Sequence, residues 1–134
     1  MLSRMARADF LRVNAACDAL LDTRGWSGGN TSLDALASCL PVVTLPGALM
    51  RARQTAGMLT IAGVPELIAA TEDDYVELAA RLAKDPAFRG DMAQKIRAGG
   101  GRLFDDPAPL AALAQFIRDA HSRAPQSAPA PSGG

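Results

Sequence analysis

The chain has 134 residues; apolar residues make up 49% and charged residues 21%, and 14 basic side chains balance 14 acidic ones. That size and apolar content suit one domain with a packed core, or part of a larger one. A formal net charge of +0 argues against holding nucleic acid mainly by phosphate neutralisation and gives no reason to expect an anionic membrane surface as partner.

A helix is expected over Ala6 to Cys17, where Phe10, Leu11, Val13 and Cys17 gather on one face. "MLSRMARADF" has no apolar segment behind its charges to act as a secretory signal, and no run approaches the roughly 20 apolar residues of a membrane span. A cytoplasmic location is therefore expected. The short apolar run "DALLDT" (Asp18 to Thr23) reads as a buried strand, and "TSLDALASCL" places Leu33, Leu36, Ala37 and Leu40 at helical spacing. "PVVTLPG", from Pro41 to Gly47, is a β-branched run closed by a turn, which reads as a second buried strand. A helix follows over Ala48 to Leu59 with Arg51 and Arg53 near its start, and "GVPELIAA" supplies a third short strand after Pro65.

Thr71 is read as an N-cap, with Asp74 in the first turn of a helix carrying Tyr75, Leu78, Ala79 and Leu82. Another helix runs from about Pro86 to Ala98 and is expected to stop at Gly99-Gly100-Gly101. The last helix, from about Ala108 to His121, carries Leu110, Leu113, Phe116 and Ile117, with His121 facing solvent. A Pro-, Ala-, Ser- and Gly-rich tail over residues 122–134 is expected to be disordered. Alternating helices and strands define an α/β fold with parallel strands and flanking helices. Cys17 and Cys39 form no CxxC pair and have no histidine nearby, so neither a disulfide nor a metal site is expected.

The stretch "DTRGWSGGNTSLDAL" places three glycines before a helix. In an open parallel sheet, ligands bind where strands lead into helices. Gly28 and Gly29 let a ligand approach the backbone. The amides of Asn30, Thr31 and Ser32 would emerge from a helix N-terminus, a setting that favours a diphosphate. The Thr31 and Ser32 hydroxyls add donors, and Asp34 could accept from ribose hydroxyls. A second reading makes Thr31-x-x-Asp34 a capping box that only satisfies backbone donors. Arg51 and Arg53 either pair with phosphate oxygens or face water, and Trp26 either covers a base or sugar or pins the loop. The spacing is neither GxGxxG nor a P-loop.

Residues Ala16 to Ala69, with "LLDT", "SGGNTSLDAL", "PVVTLPG", an arginine-containing helix and "GVPELIA" in order, resemble the C-terminal lobe of the O-linked N-acetylglucosamine transferase family, whose relatives include SPINDLY-type proteins. The resemblance implies part of the Rossmann-like C-terminal lobe of a GT-B glycosyltransferase over residues 1–121. It further implies a UDP-sugar donor, UDP-N-acetylglucosamine, transferred to Ser or Thr of an acceptor protein, with no other cofactor. In the family, the loop matching Gly29, Asn30 and Thr31 contacts the diphosphate and the acid matching Asp34 holds the ribose. Gly28, Ser32 and Arg53 join these as candidate donor-binding residues. Histidine often stands in the family where this chain has Gly29, and threonine where it has Asn30, so backbone amides would carry those contacts here. The family's lysine against the diphosphate matches neither Lys84 nor Lys95, and no catalytic residue is assigned. Such a portion is expected to be inactive alone; the alternatives are a non-catalytic nucleotide-binding or interaction module and a degenerate remnant.

Overall fold

A computed structural model describes residues 5–104 and 106–123. Helix α1 (Arg7–Ala16) leads to strand β1 (Leu20–Leu21), helix α2 (Asn30–Ala37) and strand β2 (Val42–Val43). Helix α3 (Gln54–Ala62), helix α4 (Glu72–Lys84) and helix α5 (Pro86–Phe104) complete a first compact unit, which ends at Phe104. Helix α6 (Ala108–Arg123) belongs to a second unit.

The strands are parallel, with Leu20 opposite Val42 and Leu21 opposite Val43. The expected third strand is reduced to one parallel bridge, Thr44 to Ile68, because Pro65–Leu67 closes into a 3-10 turn. Proline removes the N–H that a strand would donate there, so the segment pairs only after it. The Thr44 amide donates to the Leu67 carbonyl (3.1 Å) and the Ala69 amide to the Thr44 carbonyl (2.8 Å). The parallel α/β expectation thus holds in a reduced, mostly helical form.

The core gathers Val42 and Val43 with Leu36, Leu59, Leu67, Leu82, Met92 and Ile96. In α1 the apolar side is only half-buried, Cys17 is exposed beyond the helix end, and the buried residue is Asn14. The capping box of α4 forms as expected. The Asp74 amide donates to the Thr71 hydroxyl (3.1 Å) and the Thr71 amide to the Asp74 carboxylate (3.0 Å).

The three glycines at 99–101 do not stop α5, which continues to Phe104. Gly99 is buried, and a Cβ there would run into the carbonyl of Ala62 at the end of α3. Close helix packing at that point outweighs the weak helix propensity of glycine. Helix α6 spans the expected segment with Leu110, Leu113, Phe116 and Ile117 exposed, as is His121. Ser122 and Arg123 are helical rather than part of a disordered tail, and the rest of that expectation, residues 124–134, lies outside the described residues.

Helix α2 ends with Cys39 in the left-handed region at φ 57°. The Leu40 amide donates to the Ala35 carbonyl (2.9 Å) and the Cys39 amide to the Leu36 carbonyl (3.0 Å), the pairing of a Schellman cap. Glycine suits that position best, so Cys39→Gly is expected to stabilise the chain by about 0.5–1 kcal/mol. A rise in the urea midpoint checks this; a fall would show that the Cys39 side chain contributes more packing than its backbone strain removes. Both cysteines are free thiols.

Candidate functional site

Strand β1 ends at Leu21, and the next residue, Asp22, is the anchor of the glycine loop. Its side chain is almost fully buried and accepts four hydrogen bonds: from the amides of Thr23 (3.1 Å) and Gly28 (2.7 Å), and from the hydroxyls of Ser27 and Thr44 (each 2.7 Å). A buried carboxylate requires such partners, because its water is gone. Thr44 follows β2 and Asp22 follows β1, so the carboxyl ends of two parallel strands supply the two ends of this link.

A layer of hydroxyls continues below the loop. The Thr55 amide donates to the Ser27 hydroxyl (2.9 Å), and the Thr55 hydroxyl lies 2.8 Å from those of both Ser27 and Ser32. All three residues are buried. The Ser32 hydroxyl is therefore turned into the protein and is not a ligand donor, a correction to the expectation for its side chain. At the third helical position its side chain faces the core, toward the start of α3.

Gly28 has a structural requirement of its own. A Cβ at that position would collide with the Ser32 hydroxyl and lie 2.7 Å from the Thr31 hydroxyl. The loop thus folds tightly onto its own helix. At Gly29 an added Cβ would meet only the Gln54 side-chain oxygen, at 3.3 Å.

Gly29 is the N-cap of α2 and no side chain caps the helix, so the alternative capping box between Thr31 and Asp34 does not form. The amides of Asn30, Thr31 and Ser32 have no acceptor among the described residues, while the Leu33 amide is the first to bond back, to Gly29 (3.1 Å). Three donors at the positive end of the helix dipole are thereby left for an anion. Because the helix begins at Asn30, Asp34 lies in the second turn, not the first. There its Oδ1 accepts from the Arg7 guanidinium of α1 at 2.6 Å. Arg7, Asn30, Leu33, Asp34 and Phe104 line a cavity of about 720 Å³. Asn30 and Asp34 therefore share one cavity, with Arg7 as a member that the sequence did not reveal.

The arginines are arranged differently from expectation. Met50–Ala52 forms a 3-10 turn and Arg53 is the N-cap of α3, so both Arg51 and Arg53 precede the helix rather than ride on it. Both are exposed, and Arg53 does not line the Asn30–Asp34 cavity. Arg51 stacks over the Trp26 ring at 5.8 Å, and Trp26 is 69% exposed, so the loop is pinned by Asp22 and Ser27 and not by tryptophan burial.

The Tyr75 hydroxyl of α4 donates to the Asp22 carbonyl at 2.9 Å. Burial, and then the negative charge of Asp22, push its phenol above the usual value of 10.0. The folded state therefore favours the protonated phenol, and its contribution is full below about pH 10 and lost as pH rises through the folded value. Stability is expected to fall more steeply above about pH 10 in the wild type than in Tyr75→Phe. Urea midpoints taken on both sides of that pH check this, and parallel profiles would refute it.

The sequence left Asp22, Ser27, Thr44 and Thr55 out of the site. A polar residue directly after each apolar strand run was the signal that could have located the first and third.

The glycosyl transferase family 41 pattern matches residues 2–105. A Caenorhabditis elegans UDP-N-acetylglucosamine–peptide N-acetylglucosaminyltransferase is 34% identical over 91 residues, covering 68% of this chain and 8% of that protein. A SPINDLY protein of Hordeum vulgare is 32% identical over 89 residues, 66% of this chain and 9% of its own length. Among solved structures, a mutant O-GlcNAc transferase of Thermobaculum terrenum superposes with a TM-score of 0.75 at 34% identity, over 91% of this chain and 23% of that one. The chain thus spans less than a tenth of the length of these two sequence relatives.

Proposed function

The chain belongs to glycosyl transferase family 41, and on that premise we propose that it is a donor-binding portion of a protein O-linked N-acetylglucosamine transferase. In this reading it forms part of the C-terminal, Rossmann-like lobe of a GT-B enzyme. The observation that carries the proposal is the start of α2: three amides without acceptors among the described residues, at the carboxyl end of a parallel strand, above a loop fixed by a buried aspartate. Such donors, fixed before the ligand arrives, suit the diphosphate of a UDP-sugar. They also stabilise the charge that develops on UDP as it leaves.

Asn30, Thr31 and Ser32 act through their amides, and Thr31 and Asn30 have exposed side chains that can add to the contact. Gly28 and Gly29 keep the approach open. Asp34 has Oδ1 on Arg7 and its second oxygen available to a ribose hydroxyl. Arg53, exposed at the start of α3, is assigned the outermost place, against phosphate oxygens. None of these residues attacks or transfers a proton, so transfer itself requires an acceptor and further groups from the rest of such an enzyme.

Calorimetric titration with UDP tests the reading. Saturable binding is expected, weakened about tenfold or more in Asp34→Ala, since a hydrogen bond to a charged group contributes roughly 1.5–3 kcal/mol. Equal affinity in the variant would remove Asp34 from the site. No binding by the folded chain would remove the donor-binding reading and leave the fold as a remnant without its ligand.

A further inference from the structure

Trp26 takes no part in holding the loop that carries it. Its ring is 69% exposed, whereas the next residue, Ser27, is fully buried. The Ser27 hydroxyl donates to the Asp22 carboxylate (2.7 Å) and its amide to the Arg51 carbonyl (2.8 Å). The backbone beside the ring is therefore fixed from two directions, and the Arg51 guanidinium lies over the ring, 5.8 Å from its centre. An indole held out from a fixed loop offers a large apolar face and loses little further freedom when something binds to it.

Helix α2 divides the surroundings of its own start into two flanks. Ser32 and Asp34 stand two residues apart, which is about 200° around a helix axis. They bond in different directions: the Ser32 hydroxyl to that of Thr55 at the start of α3 (2.8 Å), and Asp34 to Arg7 of α1 (2.6 Å). Trp26 belongs to the α3 flank, because the adjacent Ser27 bonds to both Thr55 and Arg51. Neither Trp26 nor Arg51 lines the cavity that Asn30, Asp34 and Arg7 share. With a diphosphate on the α2 amides and a ribose at Asp34, the group beyond the second phosphate is directed to the α3 flank. Two residues of chain, at most about 7 Å, separate Trp26 from Gly28, so the ring is within reach of that group.

We infer that Trp26 is the platform on which the sugar of the donor stacks. The inference rests on the donor-binding reading and adds to it a residue for the hexose. A pyranose ring has a face of C–H groups that packs on an indole, while its hydroxyls keep to water or polar partners. A nucleobase would instead need its aromatic partner on the α1 flank, beside Asp34. Arg51 braces the indole and keeps its orientation.

Trp26 is the single tryptophan of the chain, so its fluorescence reports this position alone. The test titrates the full chain with UDP-N-acetylglucosamine and, separately, with UDP. The UDP-sugar is expected to shift the emission to the blue and to shield the ring from acrylamide, and saturating UDP to do neither. In calorimetry, Trp26→Ala is expected to weaken the UDP-sugar about tenfold and to leave UDP affinity and the urea midpoint unchanged. Trp26→Phe, which keeps a smaller stacking face, should fall between. Equal shielding by UDP, or an equal loss of both ligands in Trp26→Ala, would place the ring against the nucleotide and overturn the inference. So would UDP-sugar binding that leaves the fluorescence unchanged. Those results leave the donor site standing, whereas binding of neither ligand by the folded chain removes the donor-binding reading and this inference with it.

Discussion

Replacing Asp22 with alanine is expected to lower stability by roughly 3–5 kcal/mol and to abolish UDP binding, a larger loss than any change at Asp34. The carboxylate is the common acceptor for the Ser27 and Thr44 hydroxyls and for the Gly28 and Thr23 amides. Without it, two buried hydroxyls, Ser27 in the loop and Thr44 at the end of β2, lose their partner at once, together with the two loop amides. Each such loss costs about 1–3 kcal/mol, and water re-entering near half-buried Gly28 recovers part of it. The loop would then lose its hold on the strand end, and the three amides of α2 their fixed direction. Asp22→Asn keeps the shape but turns one acceptor oxygen into a donor facing other donors, so it should fall between wild type and Asp22→Ala. Urea unfolding with parallel UDP titration checks the series. A loss below about 1 kcal/mol in Asp22→Ala would mean that the loop is held by its own packing.

A single methyl group at Gly99 is expected to be nearly as damaging. The Cβ of Gly99→Ala would fall on the Ala62 carbonyl, a backbone group at the end of α3 that no rotamer change can move. Either α5 or α3 must shift, and overpacking of this kind costs about 2–4 kcal/mol. At Gly100 and Gly101 an added Cβ meets nothing within 4 Å. Alanine at either place should therefore stabilise α5 by about 0.5–1 kcal/mol through better helix propensity. Three neighbouring glycines with opposite signs make a sharp comparison of urea midpoints. Destabilisation by all three substitutions would mean that the segment needs glycine flexibility rather than one close contact.

The two residues also mark where sequence reading stops. Local rules located the elements well wherever the signal was itself local. Thr71-x-x-Asp74 declared its capping box, the apolar spacing declared α2, α4 and α6, and "PVVTLPG" declared the second, buried strand. The ordered set of "LLDT", "SGGNTSLDAL" and "PVVTLPG" was specific enough to place the family, which the match over residues 2–105 bears out. Glycine in a row signals a helix end only when nothing else decides. At 99–101 the partner that decides is Ala62, 37 residues away in sequence, and α5 runs on through the glycines.

For the site, the same division follows from the range of the interactions. Sequence by itself determined the bare loop, the helix that it opens and the acid on that helix, because backbone freedom and helical spacing depend on neighbours in the chain. Only the tertiary structure decided that Ser32 points inward to Thr55, that Asp34 is engaged by Arg7, and that Asp22 joins loop and sheet. Those contacts link residues 23, 27 and 22 positions apart, respectively. Their geometry follows from how α1, α3 and β2 pack around the loop, and side-chain hydrogen bonds form only after that packing has set the distances.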